Sequence, residues 1–196
     1  MCNRYRQMKD KVQLGALFNA RPLTQDALPH GELFPKRPAA VIRVEGGERV
    51  IDVMTWGVPL QGKPITNVRN LQSPFWRNML ANPDRRCLVP VTSFCEWSGE
   101  KGSKSEHWFA MPSRDVFAFA GVWRPTEAGN AFAFLTCGYD GDPAAHVVGA
   151  IHPKACPVIL HQEDEESWLG GHVDEVCALA TPLPSQLLKV SDAPPD

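Results

Sequence analysis

The sequence predicts a single α+β domain, mainly antiparallel, with a few short helices. Three observations carry that prediction. The 196 residues are 43% hydrophobic, enough for one domain with a sizeable core. Eighteen prolines and fifteen glycines break the chain into short elements, which suits an irregular sheet protein better than a helical bundle. The apolar runs between those breaks are mostly short and rich in β-branched and aromatic residues, as strands are.

Taken in order, Ala39 to Val44 and Arg49 to Met54 flank Glu45-Gly46-Gly47-Glu48 and read as a hairpin. Ser73-Pro74 before Phe75 to Leu80 reads as an N-cap, a proline at the first helical position and a short helix. Cys87 to Val91, His107 to Met111, Val116 to Val122 and Ala131 to Thr136 read as strands, with Pro157 to Leu160 a shorter one. Asp164 to Leu169 reads as a helix whose acidic first turn complements its dipole. One domain is expected over residues 1–190, followed by a frayed tail, 191–196.

Charge and cysteine usage narrow the class of protein. The net charge of -2 shows no overall preference for a polyanion, but its distribution is uneven. Residues 1–90 hold 14 Lys/Arg against 7 Asp/Glu, and residues 91–196 hold 6 against 15. Such asymmetry permits a basic face for an anionic ligand, and equally two differently solvated surfaces. The longest apolar stretch, Val116 to Trp123, is too short to span a bilayer, and the polar start lacks a signal-peptide core. A cytoplasmic protein without a membrane partner is expected. The six cysteines (2, 87, 95, 137, 156 and 177) contain no Cys-x-x-Cys pair, so reduced thiols are expected rather than a zinc ribbon or a disulfide framework. No cofactor or metal is implied, and nothing demands more than a monomer.

Four residues are candidates for chemistry. Cys2 follows Met1, and cysteine is small enough for an initiator methionine to be removed. That would leave an amine and a thiol on one residue, a 1,2-aminothiol that condenses with aldehydes. The other reading is an incidental residue of a flexible terminus. Glu96 in Phe94-Cys95-Glu96-Trp97 is either a desolvated general acid/base or an exposed edge-strand glutamate. His152 is either a proton shuttle or a hydrogen-bonded buried histidine, and Asn67 either orients a substrate or makes a turn. Arg4, Arg69, Arg77, Arg85 and Arg86 accompany Trp56, Phe75, Trp76 and Trp97. Guanidinium groups for phosphates and rings for bases are the ingredients of single-strand binding, although tryptophans serve equally as core.

Together these residues resemble the SRAP family, the SOS-response-associated peptidases that process abasic sites. The resemblance is carried by six pieces in order: Met1-Cys2-Asn3-Arg4-Tyr5, Trp56-Gly57-Val58-Pro59, Asn67-Val68-Arg69, Arg86-Cys87-Leu88-Val89-Pro90 leading to Phe94-Cys95-Glu96-Trp97, Ala120-Gly121-Val122-Trp123, and Ile151-His152 leading to Pro157-Val158-Ile159-Leu160. It implies bifurcated antiparallel sheets forming a pseudo-barrel around a positive cleft. It also implies a partner, single-stranded DNA containing abasic sites, trapped as a thiazolidine on Cys2 once Met1 is gone. His152 and Glu96 would then assist sugar opening and proton transfer, and Asn67 would hold the cysteine or the opened sugar. Arg4, Arg69, Arg77 and Lys154 would meet the DNA backbone, with Trp56 and Trp97 against bases. The chain departs from the family pattern at Asn3, where glycine is common, and at Cys95, where tyrosine is usual. It departs again after His152, where Lys154 and Cys156 replace arginine and methionine and a second thiol comes near the site. Two rivals from other classes stand beside this reading: a thiol peptidase using Cys2, His152 and Glu96, with the lyase chemistry of abasic sites adjoining, and a non-catalytic single-strand-binding module.

Overall fold

The computed structural model describes residues 2–100 and 102–195. The strands are β1 (Tyr5–Gln7), β2 (Arg21–Pro22), β3 (Gly31–Leu33), β4 (Pro38–Glu45), β5 (Glu48–Trp56), β6 (Val58–Leu60), β7 (Lys63–Ile65), β8 (Asn67–Val68), β9 (Arg86–Val91), β10 (Ser93–Ser98), β11 (Ser105–Ala110), β12 (Phe117–Thr126), β13 (Gly129–Cys137), β14 (Cys156–Pro157), β15 (Ile159–Leu160) and β16 (Lys189–Ser191). The helices are α1 (Lys11–Phe18), α2 (Pro74–Leu80), α3 (Glu165–Gly170) and α4 (Val173–Ala178).

β5, β4, β9, β12 and β13 pair in that order, antiparallel throughout. A parallel pairing of β13 with β5, Phe132 opposite Trp56, closes them into a barrel. Closure removes the open edges that a sheet otherwise exposes. A second sheet runs in the order β16-β11-β10-β1-β3. Thr92 alone separates β9 from β10, and its amide bonds the Arg6 carbonyl, so one strand line leaves the barrel and enters the second sheet. The bifurcated, mainly antiparallel α+β architecture expected from the resemblance is the one observed.

Strand alternation sorts the core into two layers. Trp56, Phe117, Phe119, Phe132 and Phe134 pack together with Tyr5, Cys2 and Phe94. Their neighbours Ile42, Ile51, Leu88, Ala118, Ala120 and Ala133 pack instead against Trp76 and Leu80 of α2 and Trp168 of α3. The helices therefore coat the barrel, and the aromatic layer fills it and continues beneath the second sheet. Inside, Tyr5 meets Trp56 edge-on at 5.1 Å, and Trp56 stacks on Phe134 at 5.3 Å. Two motif glycines answer to this geometry. Gly57 has φ +128, and a Cβ there would lie 2.9 Å from the Pro64 side chain. At Gly121 a Cβ would come within 2.8 Å of the Cys87 sulfur.

The hairpin β4–β5 and the helices α2 and α3 lie where the sequence puts them. The expected strand Pro157 to Leu160 divides, β14 pairing with β13 and β15 with β12. α1 escaped the sequence reading. Asp10 caps it by accepting from the Val12 and Gln13 amides at 2.8 Å, and the Gln13 side chain closes the capping box. The tail expected to fray is held through residue 195: Ser191 pairs with Trp108, and Arg6 Nη1 donates to the Pro195 carbonyl at 2.5 Å.

α3 is fixed to the barrel by Trp168 Nε1, which donates to the Cys87 carbonyl at 2.9 Å. Beside it the buried Glu165 carboxylate accepts from both Arg49 and Arg114. Removing one member of a buried ion pair leaves uncompensated charge, typically costing 3–5 kcal/mol. Both arginines keep some contact with water. Glu165→Ala is therefore expected at the lower end, about 3 kcal/mol. Urea denaturation should show a lower midpoint at unchanged slope, and an unchanged midpoint would contradict the assigned role.

Candidate functional site

The site begins where the N-terminal segment lies along β10. The Cys95 amide donates to the Arg4 carbonyl at 3.0 Å, and Tyr5 sits opposite Phe94, so the chain entering β1 is held against β10 from Arg4 onward. The incidental-terminus reading of Cys2 fails here. Its thiol is 1% exposed and faces the Arg4 carbonyl at 3.6 Å and the Cys95 carbonyl at 4.0 Å. Burial raises this thiol well above the ordinary cysteine range, and the negative charge of Glu96 raises it further. Cys2 is therefore held protonated.

Glu96 lies on β10, between β1 and β11 and opposite His107, so it is not an exposed edge residue. It is 2% exposed, and its Oε1 has no hydrogen-bond partner among the described residues. Burial pushes its carboxyl up to about 7, where both protonation states are populated at neutral pH. A carboxyl poised in this way can give or take a proton.

Asn67 begins β8 and pairs with Phe134 of the barrel, so it is a strand residue rather than a turn. Its side chain is buried, with neither amide atom hydrogen-bonded among the described residues. Such a group is costly to leave unpaired, and buried polar groups without partners are rare enough to need a reason. No hydrogen bond joins Cys2, Asn67 and Glu96 to one another among the described residues.

His152 follows a tight turn in which its amide bonds the Val148 carbonyl at 2.7 Å. Its Nδ1 lies 2.9 Å from the Ala155 carbonyl. A carbonyl only accepts, so the proton sits on Nδ1 and Nε2 carries the lone pair. Burial lowers the pKa of the imidazole, which favours this neutral form. Tyr139, which the sequence reading missed, donates its hydroxyl to the His152 carbonyl at 3.0 Å. Burial raises its phenol, and the charges of Cys156 and Glu96 add to the effect. Tyr139 thus ties the His152 turn from the side of its backbone carbonyl. As one of only two tyrosines in the chain, its rarity was the sole signal available.

The proposed DNA contacts separate into groups. The Arg4 guanidinium is clamped by Glu32 at 2.6 Å and Glu106 at 2.7 Å, and it lies over the Trp108 ring at 4.9 Å. Beside it a surface cavity of about 570 Å³ is lined by Asn3, Arg4, Phe34, Pro35, Trp97 and Lys104. Arg69 and Lys154 are exposed and have no ion-pair partner among the described residues. Arg77 is tied to Asp174 of α4 at 2.8 Å, on the helical coat of the barrel. Trp56 is a correction: it is fully buried, its Nε1 donates to the Thr66 carbonyl at 3.1 Å, and it offers no face to a base. Phe34, 45% exposed, and Lys104 were missed because neither stands in a motif.

The family model described as SRAP, SOS response associated peptidase, matches residues 1–194. The chain belongs to the SRAP family. Solved structures similar to it include a protein from Bacteroides thetaiotaomicron at 18% identity and TM-score 0.80, covering 96% of this chain and 90% of that one. A protein from Bordetella bronchiseptica aligns at 23% identity and TM-score 0.78, covering 98% and 99%. A phage-related protein from the same organism aligns at 20% and 0.75, covering 98% and 94%. These likenesses are of fold. No curated protein matches the chain. Among the described residues no helix is long and apolar enough to cross a membrane.

Proposed function

We propose that this SRAP protein captures the aldehyde of ring-opened abasic sites in single-stranded DNA as a covalent thiazolidine on Cys2. The observation that carries the proposal is the buried carboxyl of Glu96, whose Oε1 has no hydrogen-bond partner among the described residues and whose charge acts on the buried Cys2 thiol. Met1, whose removal would free the Cys2 amine, lies outside the described residues. The amine adds to the aldehyde and expels one water to give an imine. The thiol then adds to the imine carbon while its proton passes to nitrogen, closing a five-membered ring. In sugar opening and imine formation the Nε2 of His152 serves as proton acceptor and the Glu96 carboxyl as proton donor. Asn67 offers the opened sugar a donor and an acceptor that have no partner among the described residues.

Phosphates are taken up by the exposed Arg69 and Lys154, which have no ion-pair partner among the described residues, while Arg4 positions the cavity wall through its two carboxylates. Trp97 and Phe34 supply the rings of that cavity. Arg77 serves the helix contact and stands outside this interface. Base stacking on an aromatic side chain is typically worth about 1–3 kcal/mol. Trp97→Ala is accordingly expected to weaken single-strand binding by roughly 5- to 150-fold, with or without the lesion. Fluorescence anisotropy would measure this, and unchanged affinity would remove Trp97 from the interface.

The peptidase reading suits the family's name. A thiol peptidase works through a low-pKa thiolate in an electropositive setting. Burial beside Glu96 does the opposite to Cys2. An imine-first route tolerates a protonated thiol, because the amine makes the first attack. The test mixes methionine-processed protein with an oligonucleotide carrying one abasic site. A band that survives denaturation, with the mass of protein plus DNA less one water, is expected. No band, with Met1 removal confirmed by mass spectrometry, would overturn the proposal.

A further inference from the structure

Cys137 ends β13 and Cys156 begins β14, and the two residues are direct partners in the antiparallel register. Antiparallel partners hold their Cα atoms about 4.5–5.5 Å apart, inside the roughly 4.4–6.8 Å that a disulfide spans. Their sulfurs already lie 3.6 Å apart, and both thiols are free. Cys137 is partly exposed and Cys156 is buried, so the pair is reached from the Cys137 side. The exposed residues Pro153 and Lys154 lie just before β14, which is only two residues long.

We propose that Cys137 and Cys156 form a reversible dithiol–disulfide site oxidised by small-molecule disulfides. One thiolate of the pair attacks a sulfur of the small disulfide, giving a mixed disulfide and releasing one small thiolate. The neighbouring protein thiol then loses its proton, attacks the protein-side sulfur and releases the second small thiolate. Two protein thiols are oxidised, one small disulfide is reduced to two thiols, and no other reagent is consumed. The hydrogen bond from the Cys137 thiol lowers the Cys156 thiol below its ordinary range, which favours a thiolate within the pair. The new bond staples the start of β14 to the barrel. It thereby fixes the Ala155 carbonyl that orients His152.

The test incubates the native full-length chain with oxidised glutathione at neutral pH. The protein is then quenched in acid, denatured, alkylated and weighed. Of the six cysteines, the expected product has four alkylated and two joined, with peptide mapping placing the link at 137–156. Dithiothreitol should restore six alkylatable thiols. Six alkylated thiols after oxidation, glutathione retained on either cysteine, or a link between any other pair would overturn the proposal. Cys137→Ser and Cys156→Ala, each checked for native circular dichroism, should each abolish the intramolecular link. A link that persists in either variant would equally exclude this pair.

Discussion

Cys2→Ser protein, processed to expose the residue-2 amine, is expected to lose the denaturation-stable DNA adduct. The substitution exchanges sulfur for oxygen in a site that is 1% exposed and already lined by the Arg4 and Cys95 carbonyls, both of which accept from a hydroxyl. The fold should therefore persist. The amine remains and the imine still forms, but a hydroxyl closes the ring poorly and the imine hydrolyses. Stable adduct should fall by about 100-fold or more, equivalent to about 2.7 kcal/mol in the trapping step. Borohydride, which reduces the imine in place, should recover a cross-linked band. DNA affinity should change by no more than a few-fold, because the thiol is buried and the exposed cations Arg69 and Lys154 are untouched by the substitution. A normal yield of stable adduct without borohydride would remove the thiol from the mechanism.

The strands were legible as short β-branched and aromatic runs, and the barrel only through the family resemblance. One face of β12 carries Phe117, Phe119 and Trp123 and the other Ala118, Ala120 and Val122, and each set packs in its own layer. α1 left a local trace, the Asp10-x-x-Gln13 capping box, but its apolar residues do not fall on one face: Leu14 and Phe18 are buried while Val12 and Leu17 are exposed. The site was legible only as separate motifs. Nothing local tells that Glu96 is a central-strand residue, because that depends on β1 and β11 arriving from distant parts of the chain. The same limit misplaced Trp56, whose motif marks a glycine turn while its ring fills the barrel. Arg4 and Arg77 showed as free charges in sequence, and long-range partners Glu32, Glu106 and Asp174 engage them. The Cys137–Cys156 pairing likewise depends on register, which spacing alone does not reveal.

Glu96→Gln is expected to change two independent quantities, which separates a chemical role from a packing one. The first is stability against pH. The Glu96 carboxyl stands at about 7 in the folded chain against an ordinary value of 4.5, so the folded state holds a proton that the unfolded state has released between those values. Stability should therefore fall as pH rises from about 4.5 to 7 and receive no further change from this group above that. The fall is on the order of 3 kcal/mol. Glutamine, uncharged at every pH, should flatten that slope, and urea midpoints at pH 5 and pH 8 would measure the difference. The second quantity is the rate of adduct formation. Loss of a positioned acid/base typically costs 10²–10⁴-fold, so a fall of roughly 100-fold is expected, together with loss of the rate inflection near neutral pH. A flattened stability profile with an unchanged rate would make Glu96 a burdensome core residue and nothing more. Both changes together mean that the protein tolerates a destabilising buried carboxyl because proton transfer beside Cys2 requires one.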